Sequence, residues 1–229
     1  TFTPGQTTQQ IQVAVNGDIV PEANETFSVV LSAPVNATIA TGTGIGTITN
    51  DDVPVAVSPT TVPSATVAMP YSQTLSGSGG SGPYTFAVTA GALPAGLSLA
   101  PGGSLSGTPT AGGTFTFTAT ATDSSPAPGP FTGSQAYTLV VAAPTIVLPA
   151  TTLTAATIGT SYSATLDAAT GGTPTYSYAV TGGALPAGVT LTSATRALSG
   201  TPTQAGAFSF TVTATDSSTG TGPYTGTQT

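Results

Sequence analysis

The sequence has very little charge, and several reactive residue types are missing from it. Only 4 % of its 229 residues are charged, and it contains no cysteine, histidine or tryptophan, whereas about 25 % of residues are charged in an average soluble domain. Without histidine or cysteine there is no Ser–His or Cys–His catalytic pair, no thiolate zinc site and no disulfide framework. These absences exclude most known catalytic and metal-binding arrangements.

The composition also argues against a nucleic-acid partner and against a membrane-spanning segment. Arg196 is the one basic residue beside eight carboxylates, and a nucleic-acid surface needs several basic side chains to displace counterions from phosphates. No run of 18 apolar residues occurs, so no membrane-spanning segment is predicted. The carboxylates are the only remaining catalytic groups, and because they cluster in loops without a partner in a cleft, we expect no enzyme.

The residues that are abundant favour β-structure. The chain has 29 glycines and 20 prolines, which supply turns, and 38 % of its residues are hydrophobic. The mean hydropathy of +0.27 is the opposite of what disordered chains show. Threonine, a strand former, is the commonest polar residue. We therefore expect an all-β chain made of several small domains.

Two long segments of the chain repeat each other. Residues 84–123 and 176–216, with the two serines that follow each segment, share the motifs Ala-Leu-Pro-Ala-Gly, Ser-Gly-Thr-Pro-Thr and Ala-Thr-Asp-Ser-Ser. A spacing of 92 to 93 residues is too long for a solenoid turn and indicates a tandem of whole domains. Residues 114–123 and 207–216 alternate between threonine and apolar side chains, which predicts a half-buried antiparallel strand in each repeat.

These motifs, with the Tyr-Ser pairs at Tyr71 and Tyr162, resemble an immunoglobulin-like family of bacterial surface proteins over the full length of both repeats. The resemblance implies tandem immunoglobulin-like antiparallel β-sandwiches in an elongated string, with domains at residues 54–143 and 144–229. The first repeat continues through residues 136–141 where the second one stops, so the last strand of the second domain is predicted to be missing. Either the chain is part of a longer one, or a neighbouring copy supplies this strand by β-strand addition.

Residues 1–53 form a different unit. Their apolar alternation predicts strands over residues 9–15, 26–31 and 44–49. The stretches at residues 2–7 and 46–52 are similar to those of the C-terminal half of a Calx-β domain, a calcium-binding β-sandwich. The resemblance implies a partial β-sandwich whose loops bind Ca²⁺.

The residues that inherit the calcium role from this resemblance are Asp18, Glu22, Glu25, Asp51 and Asp52. Calcium prefers six to eight oxygen ligands, which several carboxylates in one loop region can provide. The alternative interpretation is a set of solvated turn carboxylates. Asp123 and Asp216, which recur at the same repeat position, are candidates for a second calcium site at a domain junction or for strand-ending Asx turns.

Two functions remain open at this point. The first is a non-catalytic structural segment of an extracellular or cell-surface bacterial adhesin, stalk or fibre, stiffened by calcium and contacting neighbouring copies of itself. The alternative is a binding module for a polysaccharide or a host surface protein. That alternative requires exposed aromatic side chains on one face, and the candidates are Tyr84, Phe131, Tyr137, Tyr176 and Tyr224.

Overall fold

The computed structural model describes residues 2–17, 22–50, 52–126 and 129–229. These residues form eighteen β-strands and no α-helix, which confirms the predicted all-β class. Consequently, the described part of the chain contains no helix with the length and apolar character needed to cross a membrane.

The N-terminal segment, residues 2–52, contains β1 (Glu25–Val30) and β2 (Thr43–Ile48), which pair antiparallel with each other. The strand predicted over residues 9–15 is wrong, because the structure assigns none there. Ile11, Val13 and Val15 instead expose 63 %, 48 % and 52 % of their surface. A strand needs a partner for its N–H and C=O groups, and β1 and β2 pair only with each other. The described residues here make a hairpin rather than a sandwich, and the Calx-β resemblance stays a hypothesis.

The first repeat domain is built from nine strands. They are β3 (Ala56–Ser58), β4 (Ala65–Thr66), β5 (Tyr71–Thr74), β6 (Ser76–Ser78), β7 (Thr85–Gly91), β8 (Leu97–Leu99), β9 (Ser104–Gly107), β10 (Ala111–Thr122) and β11 (Thr132–Ala142). One sheet runs β10-β11-β4 with β7 on the other side of β10, a second runs β5-β9-β8, and β3 pairs with β6. β4 lies parallel to β11, and the other pairs within the domain are antiparallel.

The second repeat domain is built from seven strands. They are β12 (Tyr162–Thr165), β13 (Ser177–Gly183), β14 (Val189–Thr192), β15 (Ala197–Gly200), β16 (Phe210–Thr215), β17 (Thr219–Gly220) and β18 (Thr225–Gln228). The sheets are β12-β15-β14 and β13-β16-β18. The strand predicted to be missing is present in part, because β18 pairs with β16 over four residues. The strand predicted over residues 207–216 is shorter than expected and begins at Phe210. Residues 207–209 belong to no strand, because β18 does not extend far enough to pair with them.

Each repeat domain encloses its own apolar core. In β10 the predicted alternation is confirmed, because Phe117, Ala119 and Ala121 are buried while the intervening threonines face outwards. Across the outer face the hydroxyl of Thr120 lies 2.8 Å from that of Thr89 and 2.7 Å from that of Ser134 on the two neighbouring strands. The threonine-rich composition therefore supplies both strand propensity and hydrogen bonds between strands.

The repeated Pro motifs of each domain pack against each other. In the first domain Thr110 N donates to Ala95 O at 2.8 Å, and Thr108 N donates to Gly96 O at 3.1 Å. Pro94 and Pro109, one from each motif, are among the fully buried side chains. The two motifs recur together because the turn of one is held by backbone hydrogen bonds to the turn of the other.

Candidate functional site

Three of the five predicted calcium ligands line one open groove in the N-terminal segment. Glu22, Glu25 and Asp52 border a cavity of about 380 Å³. The other two, Asp18 and Asp51, lie outside the residues that the structure describes. Within the described ranges there is no group of three or more acidic side chains placed to hold a metal ion. The groove thus gathers acidic residues on one surface, and their calcium role stays a prediction.

Two asparagines fix the backbone around this groove. The side-chain oxygen of Asn24 accepts a hydrogen bond from Asn50 N at 2.9 Å, which ties the start of β1 to the end of β2. The side-chain oxygen of Asn50 accepts a hydrogen bond from Asp52 N at 3.2 Å. The Asn50 amide organises the backbone that carries Asp52.

Asp123 and Asp216 follow β10 and β16, and each holds the loop that comes after its strand. Each buried carboxylate accepts three backbone N–H bonds and one serine hydroxyl bond. Asp216 receives them from Thr173 N (3.0 Å), Ser218 N (3.2 Å), Tyr224 N (2.7 Å) and Ser218 Oγ. Asp123 receives them from Ser81 N (3.0 Å), Ser125 N (3.3 Å), Phe131 N (2.7 Å) and Ser125 Oγ. Each carboxylate accepts a bond from the N–H two residues later, which is the pattern of an Asx turn. The geometry therefore favours the interpretation as strand-ending Asx turns, and a calcium site at a domain junction stays a prediction.

These hydrogen bonds change the acidity of both aspartates. Burial raises the pKa of Asp123, but the bonds from Ser125, Ser81 and Phe131 outweigh burial and lower that pKa to about 2. The pKa of Asp216 is also lowered, because bonds from Ser218, Tyr224 and Thr173 again outweigh the effect of burial. Donors that stabilise the ionised form always act in this direction. Both side chains are therefore carboxylates at neutral pH and act as fixed acceptors.

The two repeat domains are joined by backbone hydrogen bonds. Thr219 N donates to Thr110 O at 3.0 Å, Thr221 N donates to Gly112 O at 3.0 Å, and β17 pairs parallel with the start of β10. Tyr224 donates its backbone N–H to Asp216, and its side chain packs against the cores of both domains. The junction therefore lies between two domain ends. One is the end of the first domain where the chain exits, and the other is the end of the second domain where the chain enters.

This junction was not predicted from the sequence, although a signal for it exists there. The second repeat has Thr219-Gly220-Thr221 where the first has Pro126-Ala127-Pro128. Proline has no N–H to donate, so only the loop of the second repeat has both donors that the junction uses. Gly220 is also required there, because its φ is +71° and a Cβ would lie 2.2 Å from Gly112 O.

The aromatic side chains do not form an exposed platform. The chain has eight phenylalanines and seven tyrosines, all within the described residues, and only Phe2 is exposed, at 59 %. Of the five candidates for sugar binding, Tyr137 is 3 % exposed and the other four are half-buried. The hydroxyls of Tyr84 and Tyr176 bond to backbone oxygens of their own domains. These aromatics serve the cores and the turns.

The fold defines the chain as a tandem immunoglobulin-like β-protein. The family described as "Putative Ig domain" matches residues 53–142 and again residues 144–229, and the chain belongs to this family. No curated protein sequence is significantly similar to the chain.

Several solved structures are similar to the chain at low identity. The extracellular domain of protocadherin GammaB4 is 19 % identical, with 81 % of this chain and 35 % of that one covered and a TM-score of 0.32. Drosophila N-cadherin EC1-4 is 13 % identical, with 90 % and 57 % covered and a TM-score of 0.32. The N-terminal eight Ig domains of Down Syndrome Cell Adhesion Molecule are 15 % identical, with 82 % and 29 % covered and a TM-score of 0.29. The chain thus spans between about a third and just over half of these structures.

Proposed function

We propose that the chain is a non-catalytic structural segment of an extracellular repeat protein of the bacterial cell surface, such as an adhesin, stalk or fibre. The observation that carries the proposal is the junction, where two immunoglobulin-like domains share backbone hydrogen bonds and one tyrosine. The lack of histidine and cysteine supports the non-catalytic part. Another copy of the chain is the partner we propose.

The junction suits a load-bearing role because it restricts movement between domains. Domains within one chain move relative to each other unless the interface between them is extensive or specific. Here Thr219 and Thr221 extend the sheet of the first domain with backbone from the second, and Tyr224 fills space next to both cores. Such an arrangement keeps successive domains in one fixed orientation.

Breaking the junction is expected to free the two domains from each other. In Gly220→Ala the new Cβ would meet Gly112 O at 2.2 Å across the junction, so the two loops must separate. Because the chain has no native cysteine, spin labels attach only to Thr138→Cys and Ser163→Cys, one exposed site in each domain. Pulsed electron paramagnetic resonance should give a narrow label-to-label distance distribution for the parent and one at least about twofold wider for Gly220→Ala.

The matched control is Gly159→Ala in the second domain. Gly159 has a φ of +75°, close to that of Gly220, but a Cβ there meets nothing within 4 Å, so it adds the same backbone strain without a collision. Its distance distribution should match that of the parent. Thr219→Pro, which copies the first repeat and removes one donor, should widen the distribution as Gly220→Ala does. A parent distribution that is already broad would count against the rigid-segment function.

We also propose that Ca²⁺ stiffens the N-terminal segment through Asp18, Glu22, Glu25, Asp51 and Asp52. Support comes from the groove that collects Glu22, Glu25 and Asp52, and from the oxygen-only donor set, which suits a hard cation. The ion would neutralise side chains that otherwise repel one another, and so favour the ordered hairpin.

Calcium titration tests this role. Calorimetry with CaCl₂ should show saturable binding, with a Kd of about 10⁻⁴–10⁻³ M, as is usual for extracellular modules. Glu22→Gln combined with Glu25→Gln should weaken binding about tenfold or more, because two charged ligands are lost. Asp167→Asn, an exposed acid in the second domain, is the control and should leave the titration unchanged. A flat titration, or one that the Glu22/Glu25 variant does not alter, would refute the calcium proposal.

A further inference from the structure

Asn16-Gly17 is the one place in the sequence where an asparagine precedes a glycine. The other three of the four asparagines precede larger residues, and they are Asn24, Asn36 and Asn50. The backbone nitrogen that follows an asparagine can attack the carbon of the side-chain amide, and a glycine presents that nitrogen without a side chain to obstruct it. The dipeptide is therefore a candidate for spontaneous loss of the side-chain amide.

The local structure of this dipeptide permits the attack. Both residues are exposed and belong to no strand. Neither the Asn16 side chain nor the Gly17 N–H has a hydrogen-bond partner among the residues that the structure describes. A Cβ built on Gly17 would meet nothing within 4 Å, so the cyclic imide that the reaction forms has room. A loop of this kind can adopt backbone angles that a hydrogen-bonded strand excludes.

The other asparagines provide an internal comparison. The side-chain oxygen of Asn24 accepts a hydrogen bond from Asn50 N at 2.9 Å. The Asn50 amide bonds to the backbone of Asp52 through both its oxygen and its nitrogen, at 3.2 and 3.4 Å. Asn36 is exposed but precedes an alanine, whose methyl group obstructs the attacking nitrogen. These three amides are expected to persist where that of Asn16 is lost.

Asn16 also lies in the wall of the groove described above, together with Glu22, Glu25 and Asp52. A negative charge gained at residue 16 would therefore join three carboxylates. Carboxylates that share a site repel one another, and the number of charged ligands is one of the variables that set the affinity of a site for Ca²⁺. Modification of Asn16 would change the charge of the groove without any change in the gene.

We propose that Asn16 is a spontaneous modification site, at which loss of the side-chain amide adds a carboxylate to the groove. The deprotonated nitrogen of Gly17 bonds to Cγ of Asn16, and the Cγ–Nδ2 bond breaks as ammonia leaves with the proton. Water then opens the cyclic imide at either carbonyl, which gives aspartate or isoaspartate. Amide and water become carboxylate and ammonium, so the step needs no enzyme, oxidant or reductant. The formal net charge of −7 becomes more negative by one.

Mass spectrometry tests the modification directly. The full chain is held in neutral buffer for increasing times, digested with pepsin and sequenced by tandem mass spectrometry. The peptide that contains Asn16 should gain the mass difference between a hydroxyl and an amino group, and should split into aspartate and isoaspartate forms. The peptides that contain the other three asparagines should keep their amides over the same period.

Gly17→Ala is the matched variant, because it retains the Asn16 amide and hinders the attack. Gly17 does not have a positive φ, and the new methyl group meets nothing within 4 Å, so the local fold should persist. Amide loss at Asn16 should become at least about fivefold slower. Equal rates in the parent and in Gly17→Ala, or an Asn16 amide that lasts as long as the other three, would overturn the proposal.

The consequence for the groove rests on the calcium role proposed above. Asn16→Asp reproduces one product, and calorimetry with CaCl₂ should give a Kd at least about threefold lower than that of freshly prepared parent. Asn36→Asp adds the same charge at a residue that does not line the groove, and it should keep the Kd of the parent.

Two calorimetric results would contradict this consequence. If the parent binds Ca²⁺ and Asn16→Asp binds it no more tightly, the new carboxylate does not act in the groove. A flat titration of the parent would refute the calcium role and, with it, the effect on the groove. Loss of the amide is decided by the mass spectra alone, so failure of the modification and failure of the calcium role are distinguishable.

Discussion

Leu139→Ala is expected to lower the free energy of unfolding of the first repeat domain by about 3–4 kcal/mol. Leu139 is 0 % exposed and lies in the middle of β11, where it closes the core between Tyr137 and Val141. Truncation removes three carbon atoms from a site that neighbouring strands cannot easily refill, so the loss combines transfer and cavity contributions. Because the two domains need not unfold together, amide hydrogen exchange in β7, β10 and β11 is the suitable measurement.

The next residue of the same strand provides the control. Val140 is 47 % exposed and faces away from the core, so Val140→Ala should change the unfolding free energy by less than about 0.5 kcal/mol. Equal losses for both variants would mean that β11 does not present alternate faces to the core and the solvent.

Asp216→Ala is expected to have the second large effect, on the order of 2–4 kcal/mol in the second repeat domain. The variant leaves three backbone N–H groups without their acceptor, and a buried donor without a partner costs about 1–3 kcal/mol. Since Asp216 also holds the backbone of Tyr224, the spin-label distances across the junction should widen in the same variant. Asp167→Ala, at an exposed site, should leave both quantities close to the parent values.

The lowered pKa values predict how stability responds to acid. Both aspartates have pKa values below the ordinary 3.8, about 2 for Asp123, so the folded state binds protons less readily than the unfolded state. Their contribution is present above pH 4 and disappears as the pH falls through the folded pKa. The parent should therefore lose stability between about pH 4 and pH 2, and Asp216→Ala should lose less over that range. An equally steep loss in the variant would assign acid sensitivity to other carboxylates.

The sequence was sufficient to predict structure wherever the determinants are local. The alternation in residues 114–122 identified the buried face of β10, because a period of two depends only on the strand itself. The same alternation in residues 9–15 predicted a strand that does not form, because pairing depends on another strand being beside it. Repetition of the domain also explained why Asp123 and Asp216 recur, since each occupies the same turn.

The sites were harder to predict because they depend on which loops meet. That Glu22, Glu25 and Asp52 face one groove follows from the pairing of β1 with β2, which brings distant residues together. The junction needed two facts at once: that Thr219 and Thr221 have N–H groups where the first repeat has prolines, and that Thr110 and Gly112 lie opposite them. Only the first of these facts can be derived from the sequence.

The parallel pairing of β4 with β11 has a mechanical consequence. Tension along the polypeptide enters the first repeat domain through β3 and β4 and leaves it just after β11, and β4 and β11 meet at Ala65↔Val141 and Thr66↔Ala142. Pulling slides these strands along each other, so their hydrogen bonds are sheared together instead of being peeled apart one by one. Resistance to such a pull is set by the rate of forced unfolding, and this small patch of sheet would carry the shear.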